Sequence, residues 1–132
     1  LKKIKWRKKY TIGIEFIDLQ HQYFASMINR LIDEVDESDD IYYQNRMLEE
    51  LSLYASFHFI SEENFMIKHG YPDLEDHVAQ HRQLLSQLND KINYLTLEKL
   101  KIVDVIDYTQ DWFFHHTLEI DSLFGTFITR KE

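Results

Sequence analysis

Between residues 58 and 81 the chain reads HFISEENFMIKHGYPDLEDHVAQH, and no other stretch constrains the fold as tightly. His58 and Glu62 stand four apart, a Gly-Tyr-Pro-Asp break follows at 70–73, and His77 and His81 again stand four apart. Residues i and i+4 share one face of an α-helix, so each half presents two metal-capable side chains on one side. Folding the halves back on each other at the break would turn all four inward. His21 upstream and His116 with Asp121 downstream extend the set to seven nitrogen and oxygen donors. The pattern reads as a buried dinuclear metal site.

The apolar periodicity supplies the scaffold. A plausible cap at Asp18 starts a first helix, with Phe24, Ile28, Leu31 and Val35 in phase with His21, ending at the acidic break 36–40. A second helix spans 42–68, with Leu48, Leu51, Ala55, His58, Glu62 and Phe65 on one stripe and Gly70 as its stop. Pro72 and Asp73 open a third helix over 73–95, with Leu74, His77, His81, Leu84 and Leu88 in phase. A fourth starts between 94 and 98, with Thr96 as its cap, and runs to 128. Strand patterns are missing beyond the N-terminal arm. The expected fold is all-α, an up-down-up-down antiparallel four-helix bundle over 18–128 with an arm over 1–17, in one domain spanning 1–132.

Composition narrows the function. A chain of 132 residues can bury a core without staples, and its lack of cysteine excludes disulfides, zinc-thiolate sites and iron-sulfur clusters. That composition suits a reducing cytoplasm. Net charge is -8, from 23 acidic and 15 basic residues, which repels phosphate backbones and argues against nucleic acid as a partner. No apolar run reaches the roughly 20 residues of a membrane span. The arm carries Lys2, Lys3, Lys5, Arg7, Lys8 and Lys9, threaded with Ile4, Trp6 and Tyr10, and reads as a solvated extension docking Trp6 on the body.

A single histidine on an apolar stripe is ordinarily a hydrogen-bonded core residue. Here every stripe carries one, and burying five imidazoles and two carboxylates without a cation leaves unpaired groups costing roughly 1 to 3 kcal/mol each. His69 falls out of phase with His58. His115 and His116 point about 100 degrees apart, and His116 continues the stripe of Trp112. Glu63 yields to Glu62 for the same reason, and Asp18 and Glu119 are weaker candidates. His116 and Asp121 are five apart, about 140 degrees on an ideal helix, so bringing them together needs a long reach or a local distortion. Seven ligands are too many for one six-coordinate ion and too few for two. If Glu62, Asp121 and a solvent oxygen bridge, an ion with three histidines is full and one with two keeps an open place. Iron suits this donor set, with zinc or manganese admissible.

At this point the sequence resembles the hemerythrin family, and bacterial hemerythrins in particular. The residues concerned are Trp6, GIEFIDLQHQ at 13–22, HFISEE at 58–63, HGYPDLEDHVAQH at 69–81 and WFFHHTLEID at 112–121. The resemblance implies that His77, His81 and His116 hold one iron, His21 and His58 the other, with Glu62, Asp121 and an oxo or hydroxo group bridging. It implies reversible dioxygen binding at the five-coordinate iron, in a carrier or store rather than an enzyme. Phe24, Phe59, Met66, Trp112 and Phe113 are the expected pocket lining. Thr117 stands where the family usually has a bulky aliphatic residue, and is expected to hasten loss of the oxygenated form. An oxygen- or redox-sensing module with an attached or partner signalling domain is the alternative. A di-iron oxidase or nitric oxide scavenger fits less well, because such oxidases favour carboxylate-rich sites.

Overall fold

The computed structural model describes residues 2–96 and 101–131. Its main helices are α1 (Glu15–Glu37), α2 (Ile41–His69), α3 (Leu74–Thr96), α4 (Ile102–His115) and α5 (Ser122–Lys131). A six-residue π turn, His116–Asp121, joins α4 to α5, so the three run on as the fourth rod of an antiparallel bundle. The expected fourth helix is therefore interrupted. None of the described helices is long and apolar enough to cross a membrane.

Local chemistry sets the ends. Asp40 caps α2 by accepting the Tyr43 N–H at 3.2 Å. Gly70 closes it in the left-handed region (φ 67°), and the Tyr71 N–H donates to the Met66 carbonyl at 3.0 Å. The start of α1 differs from expectation. The helix begins at Glu15 after Ile14, which offers no side-chain cap, and the Asp18 carboxylate instead reaches back to the Ile12 and Gly13 N–H groups at 2.7 and 3.2 Å. Asp18 ties down the arm rather than the helix. Thr96 is the last residue of α3, its hydroxyl donating to the Ile92 carbonyl, so it does not cap the next helix. The remainder of that expected boundary, 97–98, lies outside the described residues.

The arm does dock. Asn29 exchanges two 2.7 Å hydrogen bonds with the Ile4 backbone, Gln110 donates to the Lys2 carbonyl, and Trp6 packs on the core beside Tyr10.

Two apolar clusters result. One holds Ile28, Leu31, Leu48, Leu51, Leu88, Val105 and Ile106; the other holds Ile12, Ile14, Ile17, Met66, Tyr71, Phe124 and Ile128. Each fully buried aliphatic or aromatic side chain contributes roughly 1.5 to 3 kcal/mol. Along every rod the polar donors fall between the two clusters: His21 between Ile17 and Ile28, His58 and Glu62 between Leu51 and Met66. The middle of the bundle is thus a polar layer sealed at both ends.

Candidate metal centre

All seven sequence-predicted donors converge in that layer, each at most 5% exposed. Donor atoms of Glu62, His77, His81, His116 and Asp121 lie within 4.8 Å of one another, and so do those of His21, His58, Glu62 and Asp121. The two carboxylates belong to both groups, one oxygen to each. Glu62 Oε1 is 2.7 Å from His77 Nε2 and 3.2 Å from His81 Nε2, while Oε2 is 3.4 Å from His58 Nε2. Asp121 Oδ1 is 2.9 Å from His77 Nε2 and 3.0 Å from His116 Nε2, while Oδ2 is 3.0 Å from His21 Nε2.

The π turn makes this possible. Its wider winding lets Asp121 reach the side that His116 occupies, and such bulges recur at functional sites. His115, on the outside, pairs with Glu119 at 3.0 Å, both well exposed. His69 is half-buried against the Phe65 ring, outside both groups.

The donor set fits cations. His21 Nε2 and His58 Nε2 face each other at 3.0 Å, as do His81 Nε2 and His116 Nε2 at 2.9 Å. His58 Nδ1 donates to Gln20 Oε1 and His81 Nδ1 to Glu63 Oε2, each at 2.7 Å, so their inward Nε2 atoms carry lone pairs. Glu62 Oε2 and Asp121 Oδ2 are fully buried against histidine nitrogens, 3.4 Å from His58 Nε2 and 3.0 Å from His21 Nε2. A cluster of inward lone pairs and carboxylate oxygens calls for positive charge.

With protons alone, that charge falls on imidazoles bonded to the carboxylates, His81 being raised as well as His21 and His77. Burial opposes protonation of His21 and His77, but bonds to Asp121 and Glu62 override it and raise both to about 9. Burial pushes His58 down. Burial would raise the Glu62 carboxyl, yet its histidine partners hold it well below its usual range, and Asp121 is depressed likewise. Folded values of His21 and His77 lie above their unfolded 6.5, so their stabilisation is complete below 6.5 and lost as pH rises through about 9. The depressed carboxyls stabilise above their unfolded values and fade as pH falls through the acid range. Chelator-treated protein should therefore melt highest near pH 5 to 6.5 and lose Tm towards pH 9, while metal-loaded protein lacks that alkaline loss. Calorimetry of both forms across pH checks this.

The sequence model of the Hemerythrin HHE cation binding domain matches residues 12–128. The chain belongs to the hemerythrin family. It is 26% identical over 127 residues to a bacteriohemerythrin of Clostridium acetobutylicum, covering 88% of this chain and 94% of the relative. It is 28% identical over 118 residues to a bacteriohemerythrin of Methylococcus capsulatus, covering 89% of each. A crystal structure of wild-type hemerythrin superposes with a TM-score of 0.85 at 27% identity, covering 95% of this chain and 97% of that one.

His21 and His58, with His116 of the other group, border a cavity of about 10 Å³, the space of roughly one small molecule. Phe24, Phe59, Trp112, Phe113 and Thr117 line it together with His21, His58, His116, Asp121 and Ala55. Met66 does not. It packs beyond the polar layer among Ile17, Tyr71 and Phe124, because it lies one turn past Glu62 on the side away from the cavity. Phe59 also lies flat on the His81 ring, 4.1 Å between centroids.

Gln20 and Glu63 were not anticipated as partners of the site. Each adjoins a donor in sequence, so it points about 100 degrees away and can only serve a neighbouring helix. Gln20 meets His58 across α1 and α2, and Glu63 meets His81 across α2 and α3. Such partners orient a ligand and raise its basicity. Glu63→Ala should weaken metal binding about 10- to 100-fold, read by competition with a chromophoric chelator.

Proposed function

We propose that this chain binds dioxygen reversibly at a pair of iron ions, as a carrier or store. His77, His81 and His116 would hold one ion and His21 and His58 the other, with Glu62 and Asp121 shared between them. The observation that carries this reading is the small cavity bordered by both histidines of the smaller group, His21 and His58, and by His116 from the larger one, where protein donors leave room for a ligand. Hemerythrins carry non-haem di-iron and bind dioxygen, which supports it. The chemistry such a pair supplies is reversible electron donation to dioxygen, one electron from each ion.

The chain's own part is selection and protection. Phe24, Phe59, Trp112 and Phe113 close the cavity with ring faces and edges, the Phe24 and Phe113 rings stacking at 5.2 Å, so water and anions meet an apolar wall. Glu63 and Gln20 fix the histidine tautomers. Five imidazoles against two carboxylates favour binding over oxidative turnover.

Thr117 is the polar element of that wall, buried beside His116. A hydroxyl there gives water or a proton a foothold. Thr117→Ile should slow autoxidation roughly tenfold, equivalent to ~1.4 kcal/mol of barrier, measured as decay of the oxygenated spectrum. An unchanged rate removes Thr117 from the account.

The deciding experiment is iron analysis together with the visible spectrum of the reduced protein before and after air. Two irons per chain and a charge-transfer band that disappears on degassing are expected. A single ion, or a band that never reverses, refutes dioxygen carriage.

A further inference from the structure

The outer faces of α1 and α2 carry an apolar surface that the metal centre does not use. Leu19 and Tyr23 on α1, and Leu53, Phe57, Ile60 and Ile67 on α2, are between 53% and 72% exposed. At 100 degrees per residue the four on α2 fall within an arc of about 80 degrees, a stripe four turns long. Tyr54 joins the two stripes, its ring 5.1 Å from Tyr23 and 6.0 Å from Phe57. The patch is continuous.

At these exposures the six side chains leave roughly 600 Å² of apolar surface in water, the upper end for a monomer. The serine and asparagine side chains between them bring the face close to the ~800 Å² per partner of a standard interface.

Charge identifies the partner. From Leu19 to Asn29 the sequence has no Asp, Glu, Lys or Arg. From Leu51 to Ile67 it has only Glu62, which is buried, and Glu63, which is bonded to His81. In a chain of net charge -8, two copies repel across most approaches, and this face is the approach that brings the fewest like charges into contact. Depletion of charge at an apolar centre is the composition of interface cores, and the Arg30 and Glu50 ion pair supplies a polar rim at one end.

We propose that the α1/α2 face is the interface of a symmetric dimer of this chain. A two-fold contact is self-complementary, so an uncharged stripe meets its own copy without an unpaired charge. Ile60, midway between Leu53 and Ile67, lies near the axis.

Sedimentation equilibrium of the full chain from ~1 to ~100 µM tests this. The mass should rise towards twice the 16.1 kDa of one chain. Ile60→Glu places two carboxylates at the axis and should raise the dimer Kd at least ~100-fold, with helical circular dichroism unchanged because the site is exposed. Leu123→Glu, at a leucine 60% exposed on α5, should leave Kd within about twofold. Raising sodium chloride from ~0.1 to ~0.5 M should leave association intact, since salt screens charge contacts and not apolar ones. A wild-type chain at single-chain mass throughout overturns the proposal. So does a dimer that salt dissolves, or one that Leu123→Glu weakens as much as Ile60→Glu does. Capture of a monomeric chain by phosphatidylcholine vesicles would assign the face to a lipid surface and overturn it too.

Discussion

Glu62→Ala should leave the helices in place and abolish metal binding at both donor groups. Glu62 is fully buried, and its two oxygens serve the two histidine groups separately, with Oε1 on the His77 and His81 side and Oε2 on the His58 side. Removing it takes one anionic donor from each position at once, which no single histidine substitution can do. The remaining imidazoles then face one another with only Asp121 to balance a cation. Metal-free protein suffers as well, because the protonated forms of His21 and His77 lose half their counter-charge. Breaking a buried charge network in this way costs about 3 to 5 kcal/mol. Iron analysis after purification and thermal melts of the chelator-treated variant check both parts. Retention of the metal by the variant would remove Glu62 from the shared place proposed for it.

Gly125→Ala should be nearly as damaging, although the residue carries no donor itself and lies in a helix that alanine favours. A Cβ there would stand 2.1 Å from the Ile12 carbonyl oxygen and 2.9 Å from the Ile12 Cβ. The obstacle is backbone, which cannot rotate aside as a side chain can. The arm must lift from α5, and Ile12 and Ile14 leave the cluster with Phe124 and Ile128. The helix preference of alanine returns about 1 kcal/mol, while exposing two isoleucines and straining the contact costs several, for a net loss of ~2 to 4 kcal/mol. Gly70→Ala is the control. Its φ of 67° strains any other residue, but nothing lies within 4 Å, so the loss should stay near 1 kcal/mol. Denaturant melts of the two variants distinguish a packing glycine from a turn glycine.

The contrast between these glycines marks what could be read in advance. Gly70 follows an amphipathic run and precedes a proline, so its role as a helix stop is a local pattern. Gly125 lies inside a periodic stretch with no local signal, and its importance comes from an arm more than a hundred positions earlier in the chain. The first helix shows the same division. Its apolar phase with His21 was legible, but its start was not, because Ile14 carries no cap and the acidic signal at Asp18 serves the arm.

The donors were legible for a similar reason. His58 and Glu62, and His77 and His81, repeat at the helical spacing, and that spacing alone assigns them to inward faces. The five-residue step from His116 to Asp121 announced a distortion without saying which. Packing chose a π turn, since it lets Asp121 approach His116 and keeps Phe124 in the core.

Periodicity along the chain therefore determined the four rods, their order and six of the inward donors, because helix geometry is a property of near neighbours, whereas Asp121 rested on the family resemblance. The roles of Gln20 and Glu63, the place of Met66 and the close approach at Gly125 were decided only in the folded bundle. Each depends on the distance between residues on different rods, and that distance is set by how the whole core packs.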